Sequence, residues 1–91
     1  MGKPGTWIDT TFTVNDVVGI ETNVDGSKTA HISKNTILGG TNIPVHVGLD
    51  IKTDPRSPTY GTAQWVITNE GAVVLDSGGW ITPGFRVTVE E

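Results

Sequence analysis

Residues 45–53 read VHVGLDIKT, and this stretch decides the fold class. Val45, Val47, Leu49 and Ile51 fall on one side of an alternation, and His46, Gly48, Asp50 and Lys52 fall on the other. A period of two belongs to a β-strand with one dry face and one wet or paired face. Pro44 suits the first position of such a strand, where the missing N–H removes no ladder bond.

The same alternation recurs outward in both directions. Toward the C-terminus, Asp54-Pro55-Arg56-Ser57-Pro58-Thr59 is a stiff loop, because two prolines fix the backbone within four residues. Tyr60 to Thr68 follows as a strand with Trp65 and Ile67 facing inward. Asn69-Glu70-Gly71 turns it, and Ala72 to Asp76 returns antiparallel. Ser77-Gly78-Gly79 is a flexible connection and Pro83-Gly84 another turn. Phe85, Val87 and Val89 alternate with Arg86, Thr88 and Glu90 in a final strand.

Toward the N-terminus, Gly39-Gly40-Thr41-Asn42 breaks the pattern. Thr36 to Leu38 and Thr29 to Ser33 are short strand candidates. Asn23-Val24-Asp25-Gly26 is a turn, since Asp-Gly readily supplies a positive φ. Val17 to Thr22 is a strand, Asn15-Asp16 a short turn, and Trp7 to Val14 alternates with Ile8, Thr10, Phe12 and Val14 on one face. Seven or eight short strands without a helical period predict an all-β fold: a small immunoglobulin-like antiparallel β-sandwich. A single domain is expected over 7–91, behind a flexible lead-in over 1–6.

Composition agrees. Thr, Val and Ile make up about a third of the 91 residues, and β-branched side chains suit a pleated, half-buried surface. So short a chain buries a small core. It has no cysteine to staple that core, so a homo-oligomer is expected as the source of further burial. The net charge is −4 and the six basic residues are scattered. Long nucleic acid is therefore not an expected partner, because a phosphate backbone needs clustered Lys and Arg. One small anion needs only one or two donors. The first five residues lack the apolar run of a signal peptide, and no apolar stretch approaches the roughly 20 residues of a membrane helix. The expected setting is cytoplasmic, with no membrane partner.

No residue pattern points to catalysis, a metal or a cofactor. His31 and His46 sit about fifteen residues apart on strands, outside i, i+2 or compact-loop ligand spacing. No nucleophile motif is present. Asp25 lacks the alternating oxygen ligands of a calcium loop. The protein is therefore expected not to be an enzyme. Trp65 is a core residue by its apolar flanks. Trp80 stands in a glycine-rich connection, where a large ring serves equally as a lid or as a contact, and Trp7 is open in the same way. Arg56 on the stiff loop, with Lys52 before it and Tyr60 after it, could stack a nucleobase and grip a phosphate. Gly78 and Gly79 would permit close backbone approach to an anion.

The stretch LDIKTDPRSPTYGTAQWVITNEG, residues 49–71, resembles the nucleotide-sensor domain at the C-terminus of some bacterial adenylyl/guanylyl cyclic-oligonucleotide synthases and related defence proteins. Leu49 and Ile51 match the first strand of that domain, and Pro55, Pro58 and Tyr60 match its loop. Trp65, Ile67, Asn69 and Gly71 match its Trp-x-Val-x-Asn-x-Gly signature, with Ile for Val. SGGWITPGFRVTV, residues 77–89, is loosely similar to its closing strand, although Ser77-Gly78-Gly79-Trp80 stands near where the family has Leu-Arg-Gly-x-Phe. The resemblance implies an immunoglobulin-like sandwich that binds a nucleotide. A lone domain of this kind would sequester or sense a cyclic nucleotide, as a phage anti-defence sponge in the host cytoplasm would. The expected ligand residues are then Trp80, Tyr60, Arg56, Lys52, Gly78 and Gly79. The alternative is a structural interaction protein, such as a phage virion decoration or tail protein, with Trp7 and Trp80 at its contacts.

Overall fold

The computed structural model describes residues 3–91. Seven strands form: β1 Thr11–Thr13, β2 Val17–Thr22, β3 Lys28–Ile37, β4 Pro44–Lys52, β5 Ala63–Asn69, β6 Ala72–Asp76 and β7 Thr88–Glu90, with a 3-10 turn at Val14–Asp16 between β1 and β2. The expected all-β sandwich is present. Its larger layer is a five-stranded antiparallel sheet in the order β2-β3-β4-β5-β6, and its smaller layer is the pair β1-β7. Every neighbour in the larger sheet is also a neighbour in sequence, so that sheet is a plain meander without Greek-key crossings. The small layer departs from an antiparallel pattern: β1 and β7 run parallel, with Thr11 opposite Thr88 and Phe12 opposite Val89. Parallel partners need a long crossover, and here the crossover is the whole larger sheet.

Register places the core. Ile32, Leu49 and Trp65 align across β3, β4 and β5, and Val47, Ile67 and Leu75 align across β4, β5 and β6. Directly paired residues share a face, so these rows make one apolar floor. Phe12 descends onto it from β1 and is fully buried, as is Val47. Ile8, Val17, Ile51, Trp65, Leu75 and Val87 pack around the buried cluster. Burying a side chain such as Phe12 or Leu49 contributes roughly 1.5–3 kcal/mol, so a handful of these residues supplies most of the stability of so small a domain.

Several boundaries differ from the sequence reading, each for a local reason. Residues 28–37 form one continuous strand, where two short ones were expected. Lys34-Asn35 interrupts the apolar pattern, but pairing with β4 is unbroken from Thr29–Lys52 to Ile37–Pro44. Lys34 shares the core-facing side with Val47, and its ammonium rides 5.4 Å above the Phe12 ring and donates to the Thr11 carbonyl at 2.9 Å. A long stem can cover apolar surface while its charged head finds a partner at the rim. The first strand is confined to Thr11–Thr13, and Val14, expected on one face with the buried Phe12, is 49% exposed. Short-range bonds take over there: Asp9 accepts the Thr11 N–H and Asp16 accepts the Thr13 N–H, both at 2.9 Å. Strand β5 starts at Ala63, because the Tyr60 and Thr62 N–H groups are used inside the preceding loop, on the Ser57 and Thr59 carbonyls.

The lead-in expected over 1–6 falls partly outside the described residues. Its described part makes a turn, and Gly5 donates its N–H to the Gly39 carbonyl at 2.9 Å. Gly39 in turn donates to the Trp7 carbonyl at 2.7 Å. Both edge strands of the larger sheet carry a bulge. In β2 it falls between Val17 and Gly19, and across β5 and β6 the pairing shifts from Ile67–Leu75 to Thr68–Val73, which leaves Val74 as the extra residue.

Candidate functional site

The larger sheet has one face under β1-β7 and one face that no other element of the described residues covers. The uncovered face carries the second half of the VHVGLDIKT alternation. Asp50 lies opposite His31 on β3 and Gln64 on β5, and Gly48 lies opposite Ser33 and Val66. His31 bonds Asp50 through Nδ1 at 2.6 Å and Glu21 of β2 through Nε2 at 2.9 Å. The Gln64 amide donates to the other Asp50 oxygen at 3.0 Å. This chain of polar side chains crosses four strands. A carboxylate on each ring nitrogen favours the imidazolium, so Asp50 first and then Glu21 raise the His31 pKa above its usual value. Further along the face, Ser33 Oγ and His46 Nε2 are 2.7 Å apart.

Beside this chain runs a groove of about 260 Å³, floored by Gly48 and Val66 and walled by Ser77, Gly78 and Gly79. Its wall exists because the strand after β6 leaves and rejoins β5. Ser77 donates its N–H to the Trp65 carbonyl, and Ile81 exchanges two bonds with Ala63, so Gly78-Gly79-Trp80 must bow outward. The bow requires φ of +72° at Gly78 and +143° at Gly79, which side-chain-bearing residues rarely adopt. Ser77 Oγ holds its base by accepting the Trp65 N–H at 3.1 Å and donating to the Gly79 carbonyl at 2.7 Å.

The six residues expected at a ligand site are only partly brought together. Trp80 and Lys52 meet: the ammonium sits 4.5 Å from the ring centroid, and it also reaches Thr29 Oγ1 at 3.3 Å. Gly78 and Gly79 wall the groove. Arg56 lies elsewhere, in a loop recess with Asp25, Ser27, Asp54 and Ser57. Its guanidinium grips the Asp54 carboxylate by two bonds of 3.1 Å, and that grip lowers the Asp54 pKa. Tyr60 is 56% exposed and lines neither recess. The charges in the groove are Asp50 and Asp76, which oppose an anion.

A third recess opens between the layers. It is a cleft of about 310 Å³ lined by Trp7, Trp65, Phe85, Leu49, Ile67 and Leu75, with Asp76 at its rim. Two strands cannot cover five, so the floor under β5 and β6 is left partly open. Trp65, expected in the core, is therefore only half-buried, with Phe85 tilted against it at 5.1 Å between ring centroids. Sequence reasoning did not single out Glu21, Gln64 or Phe85. The parity of residues 46–52 does place His46, Gly48, Asp50 and Lys52 on one face, but strand order decides what lies beside them. Comparison with protein-family models, with curated proteins and with solved structures gave no match to this chain.

Proposed function

We propose that the protein is a non-catalytic interaction module that associates with a second copy of itself through the uncovered face of the larger sheet. The observation that carries this reading is an apolar patch on that face. Val66 and Val73 are 47% and 57% exposed on adjacent strands of that face, and Trp80, 40% exposed, stands over Lys52 toward the Ala63 end of β5. An antiparallel sheet can keep one face wet, but that face is then polar. Exposed valines on adjacent strands, with an exposed tryptophan further along the same face, are the surface that association buries. Such a role suits a virion decoration or tail subunit. Sedimentation equilibrium from micromolar to millimolar protein tests it. The expected result is a concentration-dependent dimer that Trp80→Ala and Val66→Thr weaken without lowering the melting temperature. A monomer across the whole range would remove the reading.

The Lys52–Trp80 pair favours a second reading, in which the module senses or sequesters a cyclic nucleotide in the cytoplasm. A base would stack on Trp80, and a phosphate would meet Lys52 and the Gly78-Gly79 backbone. Asp50 and Asp76 weigh against it, and Arg56 is committed to Asp54. Calorimetry against a panel of cyclic di- and trinucleotides decides: heat that disappears in Lys52→Gln supports this reading, and flat traces end it.

A further inference from the structure

We propose that the association of two copies through the uncovered face is controlled by the proton that His31 shares between Glu21 and Asp50. Such control presupposes the self-association proposed above and regulates it. Strand register puts the three side chains inside the contact. The uncovered face is built in rows: Glu21–Thr29–Lys52, then His31–Asp50–Gln64, then Ser33–Gly48–Val66. Trp80 stands over Lys52 in the first row, and Val66 lies in the third. A contact that covers both Trp80 and Val66 must also cover the row between them, and that row is polar.

One proton decides whether the middle row can be covered. His31 Nδ1 is 2.6 Å from Asp50 Oδ1, and Nε2 is 2.9 Å from Glu21 Oε1. An imidazolium donates from both nitrogens and serves both carboxylates, while the other Asp50 oxygen takes the Gln64 amide at 3.0 Å. A neutral imidazole has one N–H, so its other nitrogen turns a lone pair toward a carboxylate. Glu21 is the partner that lets go. Its contact is the longer one, it stands on an edge strand, and its side chain is 60% exposed against 29% for Asp50. In a single copy Glu21 turns to water when the proton leaves. Beneath a second copy that water is excluded, and a carboxylate without a donor is costly to cover. The proton is therefore held more tightly in the pair than in the monomer.

The remaining charges act in the same direction. Among the described residues, the charged or titratable groups that share this face with His31 are Glu21 from β2, Asp50, Lys52 and His46 from β4, and Asp76 from β6. On this face β3 adds only Thr29, Ser33 and Asn35, and β5 only Gln64, Val66 and Thr68, all neutral. Carboxylates outnumber Lys52, and a charged His31 reduces that excess when two such faces meet. Asp50 first and then Glu21 raise the His31 pKa above its usual value. The pair is therefore tight below about 6.5, the unfolded histidine value, and loosens as pH rises through the folded one.

Sedimentation equilibrium of the full chain from pH 6 to pH 9, at constant ionic strength, tests this control. The dissociation constant should rise about ten- to a hundredfold over that range, as loss of one charge-assisted bond requires. By reciprocity the His31 titration midpoint, followed by NMR of its imidazole, should move up as protein concentration populates the dimer. His31→Gln should give a level profile, and His46→Gln should keep the parent's. Because His31→Gln also loosens β2, Glu21→Gln is the second variant. Its amide can donate to a neutral ring or accept from it, so this dimer should stay tight at pH 9, a gain that a damaged fold cannot imitate. A dissociation constant level in pH, a dependence that persists in His31→Gln or vanishes in His46→Gln, a Glu21→Gln dimer that still weakens at pH 9, or a His31 midpoint indifferent to concentration overturns the proton's role and leaves self-association standing. A monomer at every pH removes self-association itself, and its control with it.

Discussion

At the residue scale, two positions show how differently a backbone can constrain a side chain. Glu70 and Gly71 form the two-residue turn between β5 and β6, inside the pair Asn69–Ala72, with φ of +50° and +84°. Two positive values are the mark of a type I′ hairpin turn, where Asn-Gly is the favoured pair. Glycine meets its share of that demand freely, whereas glutamate pays a steric cost in the left-handed region. Glu70→Asn should therefore raise stability by about 0.5–1 kcal/mol. Thermal melts should move up by a few degrees, and an unchanged or lower midpoint would count against the turn assignment. Gly39 is constrained by space and not by φ. A Cβ built there would lie 2.2 Å from the Trp7 ring and 2.6 Å from the Trp7 carbonyl oxygen. Gly39→Ala must push Trp7 off its seat, at a cost of about 1–3 kcal/mol for overpacking, read as a loss in denaturation midpoint together with a shift in tryptophan emission.

At the element scale, the polar chain on the uncovered face acts as a fastening for an edge strand. Strand β2 is bulged and its Val18 and Ile20 are 67% and 60% exposed, so few apolar contacts hold it. Glu21 reaches His31, and His31 reaches Asp50, which ties β2 through β3 to β4. Because His31 has a raised pKa in the folded state, its contribution is fully present below the unfolded histidine value near 6.5 and is lost as pH rises through the folded value. Melting temperature should fall over that alkaline-going window, and His31→Gln should flatten the dependence. A parent profile that is level from pH 6 to 9 would contradict the assignment. Much of this scale was legible in the sequence. Val17–Thr22 and Ala72–Asp76 are strands with the bounds their alternation predicts, because valine, isoleucine and turn residues mark both ends. The long β3 was harder to see, because Lys34 sits on the core side and local pattern counts it as a break. The site was legible only in fragments. Lys52 and Trp80 are twenty-eight positions apart, and they meet because the Gly78-Gly79 bow carries Trp80 over the sheet. Arg56 and Tyr60, which follow Lys52 within one loop, leave it because the loop after β4 folds on its own backbone bonds.

At the scale of the whole molecule, unequal layers decide where the surface is available. Five strands under two leave an apolar cleft on one face and a patterned face on the other. Bulges at both ends of the sheet twist its edges, which obstructs strand-by-strand addition of further copies, so association is directed to a face. The pairing of β1 with β7 has a different consequence, a mechanical one. These strands come from opposite ends of the described chain and run parallel. A load applied ahead of β1 and behind β7 therefore pulls them past each other, and their hydrogen bonds must break together, not one after another. A hairpin such as β5-β6, gripped at its open end, would unzip bond by bond. Single-molecule pulling through the first geometry should need the larger force. The smaller layer, which covers too little of the core to seal it, would then be the part of the protein that resists being drawn out.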